Sequence, residues 1–429
     1  MKRSDPYAPE CPFPPHPFSS SVADFRLGTC AAAECFRKSA WAWSDGRLDV
    51  GLGYAVAAAA ATCDGTHEPC ELAPYWYIAL LVKARVVEAA RRAFDRLRSR
   101  RTAAESPRAT ATSHIVQGDL LCAMGRVDDG LAEVAAGLRI AERGGVRAML
   151  PTGYVAMALS ALRRADMPVC LHFADKLARE ALLGHFGQSA GAWVIAQVAE
   201  MRGGVGSAAG LIVGIVTNPV VLRQLLVSEP AAASWLVRAA GKLGACDLAE
   251  VVVATAFDIS AKATRFPVTR AAALHSAGLR EGDFAKLSEA GRLYPDRWCG
   301  ASAREDLAGL SAARRSERAD TIRILESALD TYTAVDAKRD AARVANKLRE
   351  FGVRRGVVRA GACEGIFPHG LTSTEFAVAD LVSRGHTNNE VGRQLFISRN
   401  TVAFHLKKVY QKMSVASRVE LAVYWNVAH

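Results

Sequence analysis

The sequence is poor in the features that mark enzymes, membrane proteins and secreted proteins. Its ten cysteines, Cys11, Cys30, Cys35, Cys63, Cys70, Cys122, Cys170, Cys246, Cys299 and Cys363, contain no C-x-x-C pair. A zinc site needs closely paired ligands so that one turn presents two to the metal. The single local Cys/His cluster, Cys63 and Cys70 around His67, reads as a loop with incidental thiols, and neither a metal nor a cofactor is expected. Thiols scattered among Ala and Leu behave as small hydrophobes, so the chain reads as reduced and cytoplasmic. After Met1-Lys2-Arg3 the sequence turns Pro-rich where a secretory signal would be apolar. The longest apolar stretch, Val205 to Val227, is interrupted by Thr217-Asn218-Pro219 and carries Arg223 and Gln224, which argues against a membrane span. H-E-x-x-H and P-loop patterns are missing. Gly203-Gly204-x-Gly206 lacks a following Gly-Lys-Ser/Thr and reads as a tightly packed helix junction. His114, His172, His185 and His275 stand isolated in helical surroundings, as structural histidines do, and no catalytic residue is expected.

What is present is apolar, helical and basic. The 429 residues are half apolar and carry a formal charge of +11, which favours a polyanionic partner and a division into two or three domains. Residues 1–21 hold six prolines and read as a disordered tail. From 22 to 350 the apolar residues recur at helical spacing, with breaks at Ser44-Asp45-Gly46, Met124-Gly125-Arg126, Ala165-Asp166-Met167-Pro168, Leu243-Gly244-Ala245 and Arg280-Glu281-Gly282-Asp283. At one such break Gly125 ends a helix, and Asp128 or Asp129 starts the next, with Leu131, Val134, Ala135 and Leu138 on one face. Ala135 and Ala136 are expected to let the paired helices approach closely. Hairpins repeating at roughly 35 to 40 residues, here with irregular spacing, suggest a tetratricopeptide-like array. Ile322, Leu325, Leu329 and Tyr332 share the face of a closing helix, and Asp336 starts another bearing Ala341, Val344, Ala345 and Leu348. Glycines and arginines then mark a basic linker at 351–366.

The last segment, 367–429, is the most explicit. Thr372 and Glu375, Thr387 and Glu390, and Ser417 and Glu420 each fit a capping box, and Ser398 caps a further helix. These starts predict helices over 373–383, 388–396, 399–413 and 418–428, the middle pair joined only by Phe396-Ile397-Ser398. So tight a connection makes a helix-turn-helix, whose second helix can enter a major groove. In that helix Val402, Leu406, Val409, Tyr410 and Met413 form an apolar stripe. The other side carries Arg399, Asn400, Ala403, Phe404, Lys407, Lys408 and Gln411, with Lys412 at its margin. The chain has about a dozen lysines, and three fall within 407–412.

The run Leu371-Thr372-x-x-Glu375, Gly385-x-Thr387-Asn388-x-Glu390-Val391, Leu395-x-Ile397-Ser398-x-x-Thr401-Val402-x-x-His405-Leu406 and Lys412-Met413-x-Val415-x-x-Arg418-x-Glu420-Leu421 resembles the LuxR-type helix-turn-helix throughout its length. The resemblance implies a four-helix DNA-binding domain in an all-α chain. It implies base contacts from Ala403, Phe404 and Lys407, phosphate contacts from Thr401, His405, Lys408 and Lys412, and a dimer contact through Val419, Val423 and Tyr424. The full expected DNA-contacting set is Thr387, Asn388, Ser398, Arg399, Asn400, Thr401, Val402, Ala403, Phe404, His405, Lys407, Lys408 and Lys412. Thr374, Asn389 and Ala403 depart from the family, which commonly has a basic residue there; each lost contact weakens DNA binding and flattens its salt dependence. More loosely, Glu229 to Arg238 and Asp336 to Leu348 resemble helical-repeat regions of large actinobacterial LuxR regulators, without their ATP-binding module.

These readings give a promoter-binding regulator, acting as a homodimer on double-stranded DNA. A ligand or protein on the helical repeats and RNA polymerase are the further partners expected. The alternative is a helical-repeat interaction scaffold whose helix-turn-helix binds DNA weakly and without sequence preference.

Overall fold

The computed structural model describes residues 30–61, 68–99, 106–146, 150–182, 189–313, 318–353, 371–395 and 398–428. The expected tail at 1–21, almost all of the linker, and Cys63, His67 and His185 lie outside these residues. Among the described residues there are 22 helices and no strand, so the chain is all-α as expected. The first ten helices form five hairpins: α1 (Ala31–Ser44) with α2 (Leu48–Ala60), α3 (Glu68–Lys83) with α4 (Val87–Arg98), α5 (Pro107–Ala123) with α6 (Val127–Arg143), α7 (Leu150–Arg163) with α8 (Met167–Leu182), and α9 (Ser189–Gly203) with α10 (Val205–Thr217). The short α11 (Pro219–Ser228) follows, then α12 (Ala231–Lys242) with α13 (Cys246–Lys262) and α14 (Pro267–Glu281) with α15 (Phe284–Leu293). α16 (Arg297–Ala313), α17 (Arg318–Ala334) and α18 (Lys338–Glu350) close the array. The last four are α19 (Ser373–Ser383), α20 (Asn388–Leu395), α21 (Arg399–Met413) and α22 (Arg418–Ala428).

The hairpin turns are more regular than the sequence breaks suggest. Gly46, Arg85, Gly125, Ala165, Gly204, Gly244 and Gly282 all have positive φ, at intervals of 38 to 40 residues, an arrangement that fits a helical repeat. Two of these turns are hidden from a search for glycine because Arg85 and Ala165 occupy the left-handed position, at a steric cost glycine avoids. Several helix starts also differ from expectation. Asp128 and Asp129 lie in the first turn of α6, whose N-cap is Arg126, and Asp336 occupies a left-handed turn ahead of α18 rather than starting it. Close approach of α5 and α6 comes from glycines, not from Ala135 and Ala136, which are only half-buried. A Cβ on Gly118 would stand 2.4 Å from Val134 Cγ2 and 2.6 Å from the Gly130 carbonyl oxygen. The Gly203–Gly206 segment is a turn with Gly204 left-handed; a Cβ on Gly203 would stand 2.1 Å from Ser207 Oγ, whereas one on Gly204 or Gly206 would meet open space, so only its first glycine is closely packed.

Packing along the array buries one long continuous core, in which Trp43, Trp76, Ile78 and Ile115 are at most 1% exposed. Side chains of this size each contribute roughly 1.5–3 kcal/mol on burial. Trp76 Nε1 donates to Ser39 Oγ at 2.9 Å, and Ser39 donates to the Gly51 carbonyl at 2.7 Å, tying α3, α1 and α2 together. The array also curls back on itself. α1 packs on α11, Lys83 Nζ reaches Glu229 Oε1 at 2.6 Å, and Arg85 Nε lies 3.5 Å from Asp296 Oδ2. α17 and α18 bury Leu325, Leu329, Tyr332, Ala341, Val344, Ala345 and Leu348 in a smaller core, as their sequence period predicts. No single helix among the described residues is long and apolar enough to cross a membrane; α10 and α11 meet at a 97° bend at the Thr217-Asn218-Pro219 break.

Candidate nucleic-acid interface

The C-terminal helices fold around a core of their own, and their boundaries follow from local capping. Thr372 and Glu375 form the reciprocal box at the start of α19. At α20, Glu390 N–H donates to Thr387 Oγ1 (3.3 Å) while Glu390 Oε2 accepts from Thr387 N–H (2.7 Å). Ser398 Oγ accepts from Thr401 N–H at 3.0 Å to start α21. The box at α22 is shifted: Ser417 Oγ accepts from Glu420 N–H, but Glu420 reaches back to Ala416 N–H. Every cap satisfies a backbone donor that the first helical turn leaves without an intrahelical partner.

α21 is held from one side. Val402, Leu406, Val409 and Met413 are buried and Tyr410 is half-buried, against α19 and α20. Arg399, Asn400, Ala403, Phe404, Lys407, Lys408 and Gln411 are exposed along the opposite face. Phe404 is 56% exposed, and Lys408 Nζ lies 4.7 Å from its ring centroid, a cation–π contact that orders both side chains on that face. Ser398 is exposed at the N-terminus of α21, where backbone N–H groups favour an anion. Thr387 and Asn388 stand at the N-terminus of α20, the first exposed and the second half-buried.

Three members of the expected set behave differently. Val402 is fully buried, because it belongs to the apolar stripe, and its side chain has no route to DNA. Lys412 Nζ is bound to Glu375 Oε2 at 2.7 Å, so it tethers the end of α21 to the start of α19. His405 is half-buried, with Nδ1 lacking a hydrogen-bond partner among the described residues. Burial, opposed by Glu375 and aided by the Lys408 charge, lowers its pKa.

Two anchors escape a reading of the sequence alone. Arg418 donates to the carbonyls of His386 and Val382, bolting α22 to the turn between α19 and α20. Trp425 Nε1 donates to Asp380 Oδ1 at 3.3 Å. Arg418 appears in the motif, but nothing in its spacing shows that its target is backbone. The expected dimer residues lie open on α22: Val419 is 72%, Val423 61% and Tyr424 43% exposed.

The domain rests on the helical array through α19 and α8, with the His172 ring meeting Phe376 edge-on at 5.6 Å. Lys407 and Lys408 stay exposed in this arrangement, so the array leaves the basic face of α21 open.

Comparison with known proteins agrees with this geometry. Residues 369–425 match the family described as bacterial regulatory proteins, luxR family. The transcriptional regulatory protein LiaR of Bacillus subtilis is 31% identical over 121 residues, which is 28% of this chain and 50% of LiaR. The CsgBAC operon transcriptional regulatory protein of Escherichia coli is 42% identical over 55 residues, 13% of this chain and 25% of that protein. The chain thus spans half or less of the length of these relatives. With its capped, anchored α21 and matched span, the C-terminal part of this chain is a LuxR-family helix-turn-helix domain.

Proposed function

We propose that this chain is a sequence-specific, DNA-binding transcription regulator of the cytoplasm. α21 enters the major groove, Lys407 reaches guanine O6 and N7, and Ala403 and Phe404 touch thymine methyls. Arg399, Asn400, Thr401, Lys408 and the N-termini of α20 and α21 hold phosphates. The observation that carries this reading is the two-sidedness of α21: its apolar stripe is fixed in a core while its basic, aromatic face is free of the helical array. Two copies paired through Val419, Val423 and Tyr424 would read two half-sites about one helical turn apart. The helical array receives a ligand or protein that controls the DNA-bound state, and RNA polymerase is the downstream partner. The chain acts by binding and not by catalysis; two of its helical histidines have structural partners, His275 bonding Asp306 at 2.8 Å and His114 bonding Glu133 at 2.6 Å.

A gel-shift salt series with genomic fragments tests the reading, combined with footprinting of Lys407→Ala. A specific complex that persists at physiological salt, with altered base preference in the variant, supports it. The second reading, a scaffold with weak DNA affinity, is favoured by the neutral residues Thr374, Asn389 and Ala403 and by the engagement of Lys412 with Glu375. Salt-labile binding that is blind to sequence, or an unchanged footprint for Lys407→Ala, would favour that scaffold.

A further inference from the structure

Because the array curls back on itself, its inner side lines a partly open cavity of about 170 Å³. Its wall is built from α1, α3, α5, α7, α9 and α11, with Glu229 and Asp296 contributed from the far side of the ring. Part of the lining is apolar, including Trp43, Trp76, Leu80, Val155 and Leu159. The rest holds six charged groups of zero net charge. Lys83 is paired with Glu229 and Arg85 with Asp296. Asp119 on α5 and Arg163 at the end of α7 have no ion pair within 4 Å among the described residues, although Asp119 feels the charges of Lys83 and Arg85, and Arg163 acts on Glu229 and Asp296. Arg163 stacks its guanidinium over the Trp298 ring, 4.4 Å from the centroid. Such a stack occupies the guanidinium face and leaves the N–H donors at its edge for a carboxylate.

We propose that this cavity is an effector site for a free zwitterion the size of one amino acid with an apolar side chain, its ammonium on Asp119, its carboxylate on Arg163 and its side chain against the tryptophans. A ligand with one charge would leave the opposite group without a close partner in a half-buried site, which is costly. A neutral ligand would leave both. The volume slightly exceeds that of a cavity known to hold benzene, which suits a ligand of about ten non-hydrogen atoms. The two groups act on one neighbourhood: the Cys122 thiol, pushed up to about 12 first by burial, is pushed further by Asp119 and pulled back by Arg163. Burial also raises the Asp119 pKa, with Lys83 opposing it, Glu229 reinforcing it and Arg85 opposing it, and a bound ammonium would draw it down. The site connects directly to the DNA-binding domain, since α7 pairs with α8 and α8 carries α19.

The inference deepens the ligand-control part of the proposed function, but its readout needs no DNA, so each can fail alone. Thermal melting and calorimetry of the full chain with L-valine, L-leucine, N-acetyl-L-leucine and L-leucinamide test it. A free amino acid is expected to raise the melting temperature by about 2 °C or more at millimolar concentration. Blocking either end should weaken binding at least tenfold, as should Asp119→Asn or Arg163→Gln in variants that melt cooperatively. The blocked ligands act on the unaltered chain, so misfolding of a variant does not decide the matter. No binding by either free amino acid, or equal binding by the blocked forms, would overturn the proposal. Tighter binding by the dipeptide Leu-Leu than by leucine would overturn the size argument and with it the stated ligand class.

Discussion

The tether between Glu375 and Lys412 makes a sharp test of how the recognition helix is held. Glu375 is 3% exposed, and its Oε2 accepts from Thr372 N–H at 2.8 Å and from Lys412 Nζ at 2.7 Å. Glu375→Ala removes two charge-assisted hydrogen bonds, each contributing about 1.5–3 kcal/mol, with some return as Lys412 is re-solvated. The net cost to the local fold is about 2–4 kcal/mol, equivalent to a loss of hydrogen-exchange protection of roughly 30- to 1,000-fold. The assay is hydrogen exchange by mass spectrometry on the full chain, following peptides from 371–383 and 399–413 against 231–242 as an internal reference. Lys412→Ala should also lower protection, because it strands a buried carboxylate, and the double variant should fall short of the sum of the two. A change below about threefold in Glu375→Ala, or double-variant additivity within about 0.3 kcal/mol, would refute the tether. The pH dependence has a definite sign. Burial pushes the Glu375 carboxyl up, but the Lys412 and Thr372 hydrogen bonds and the Lys412 charge outweigh it, so its folded pKa lies below the usual value. The stabilisation is therefore present above the ordinary carboxylate range and lost as pH falls through the folded value.

Other expectations follow from single contacts. Gly118→Ala should lower the melting temperature, since overpacking against Val134 and the Gly130 carbonyl costs about 1–3 kcal/mol, whereas Gly53→Ala, whose Cβ meets nothing within 4 Å, should raise it; a stabilised Gly118→Ala chain would contradict the close approach of α5 and α6. His172 has its pKa held down to about 4 from 6.5 by burial and the charge of Lys176, with Asp380 opposing, Arg384 reinforcing and Glu142 opposing. The contact between α8 and α19 should thus be complete above pH 6.5 and weaken progressively toward pH 4, which exchange protection of α19 would report and His172→Phe would flatten. Cys30 Sγ and Cys70 Sγ are 3.3 Å apart, and Cys30 caps the N-terminus of α1. Diamide, taking up the two electrons and two protons, should join this pair before any other, and a peptide map showing a different first disulfide would count against the geometry.

The C-terminal domain was legible because its information is local. A hydroxyl three residues before a glutamate specifies a cap within one turn, and apolar residues at helical spacing specify a face. The observed bounds of α19, α21 and α22 accordingly match 373–383, 399–413 and 418–428, while α20 ends at Leu395. What spacing could not supply was the partner of each charge. Lys412 belongs to the lysine cluster in sequence and to Glu375 in space. Val402 sits in the motif and also in the core, and burial decided between the two.

The array divides in the same way. Its helical character and its closing helices could be read from period and breaks, because hydrophobic faces repeat within a helix. Its regular spacing was obscured where Arg85 and Ala165 take left-handed turns usually given to glycine, since surrounding packing can impose a conformation that a residue does not prefer. The sequence by itself determined the helices, their inward faces and the presence of a basic recognition helix, all properties of neighbours within a few residues. Tertiary structure alone decided that the array curls back on itself and which buried charges pair, leaving Asp119 and Arg163 without an ion pair among the described residues. Those outcomes depend on groups as far apart in the chain as Lys83 and Glu229, and attraction between charges follows distance in space.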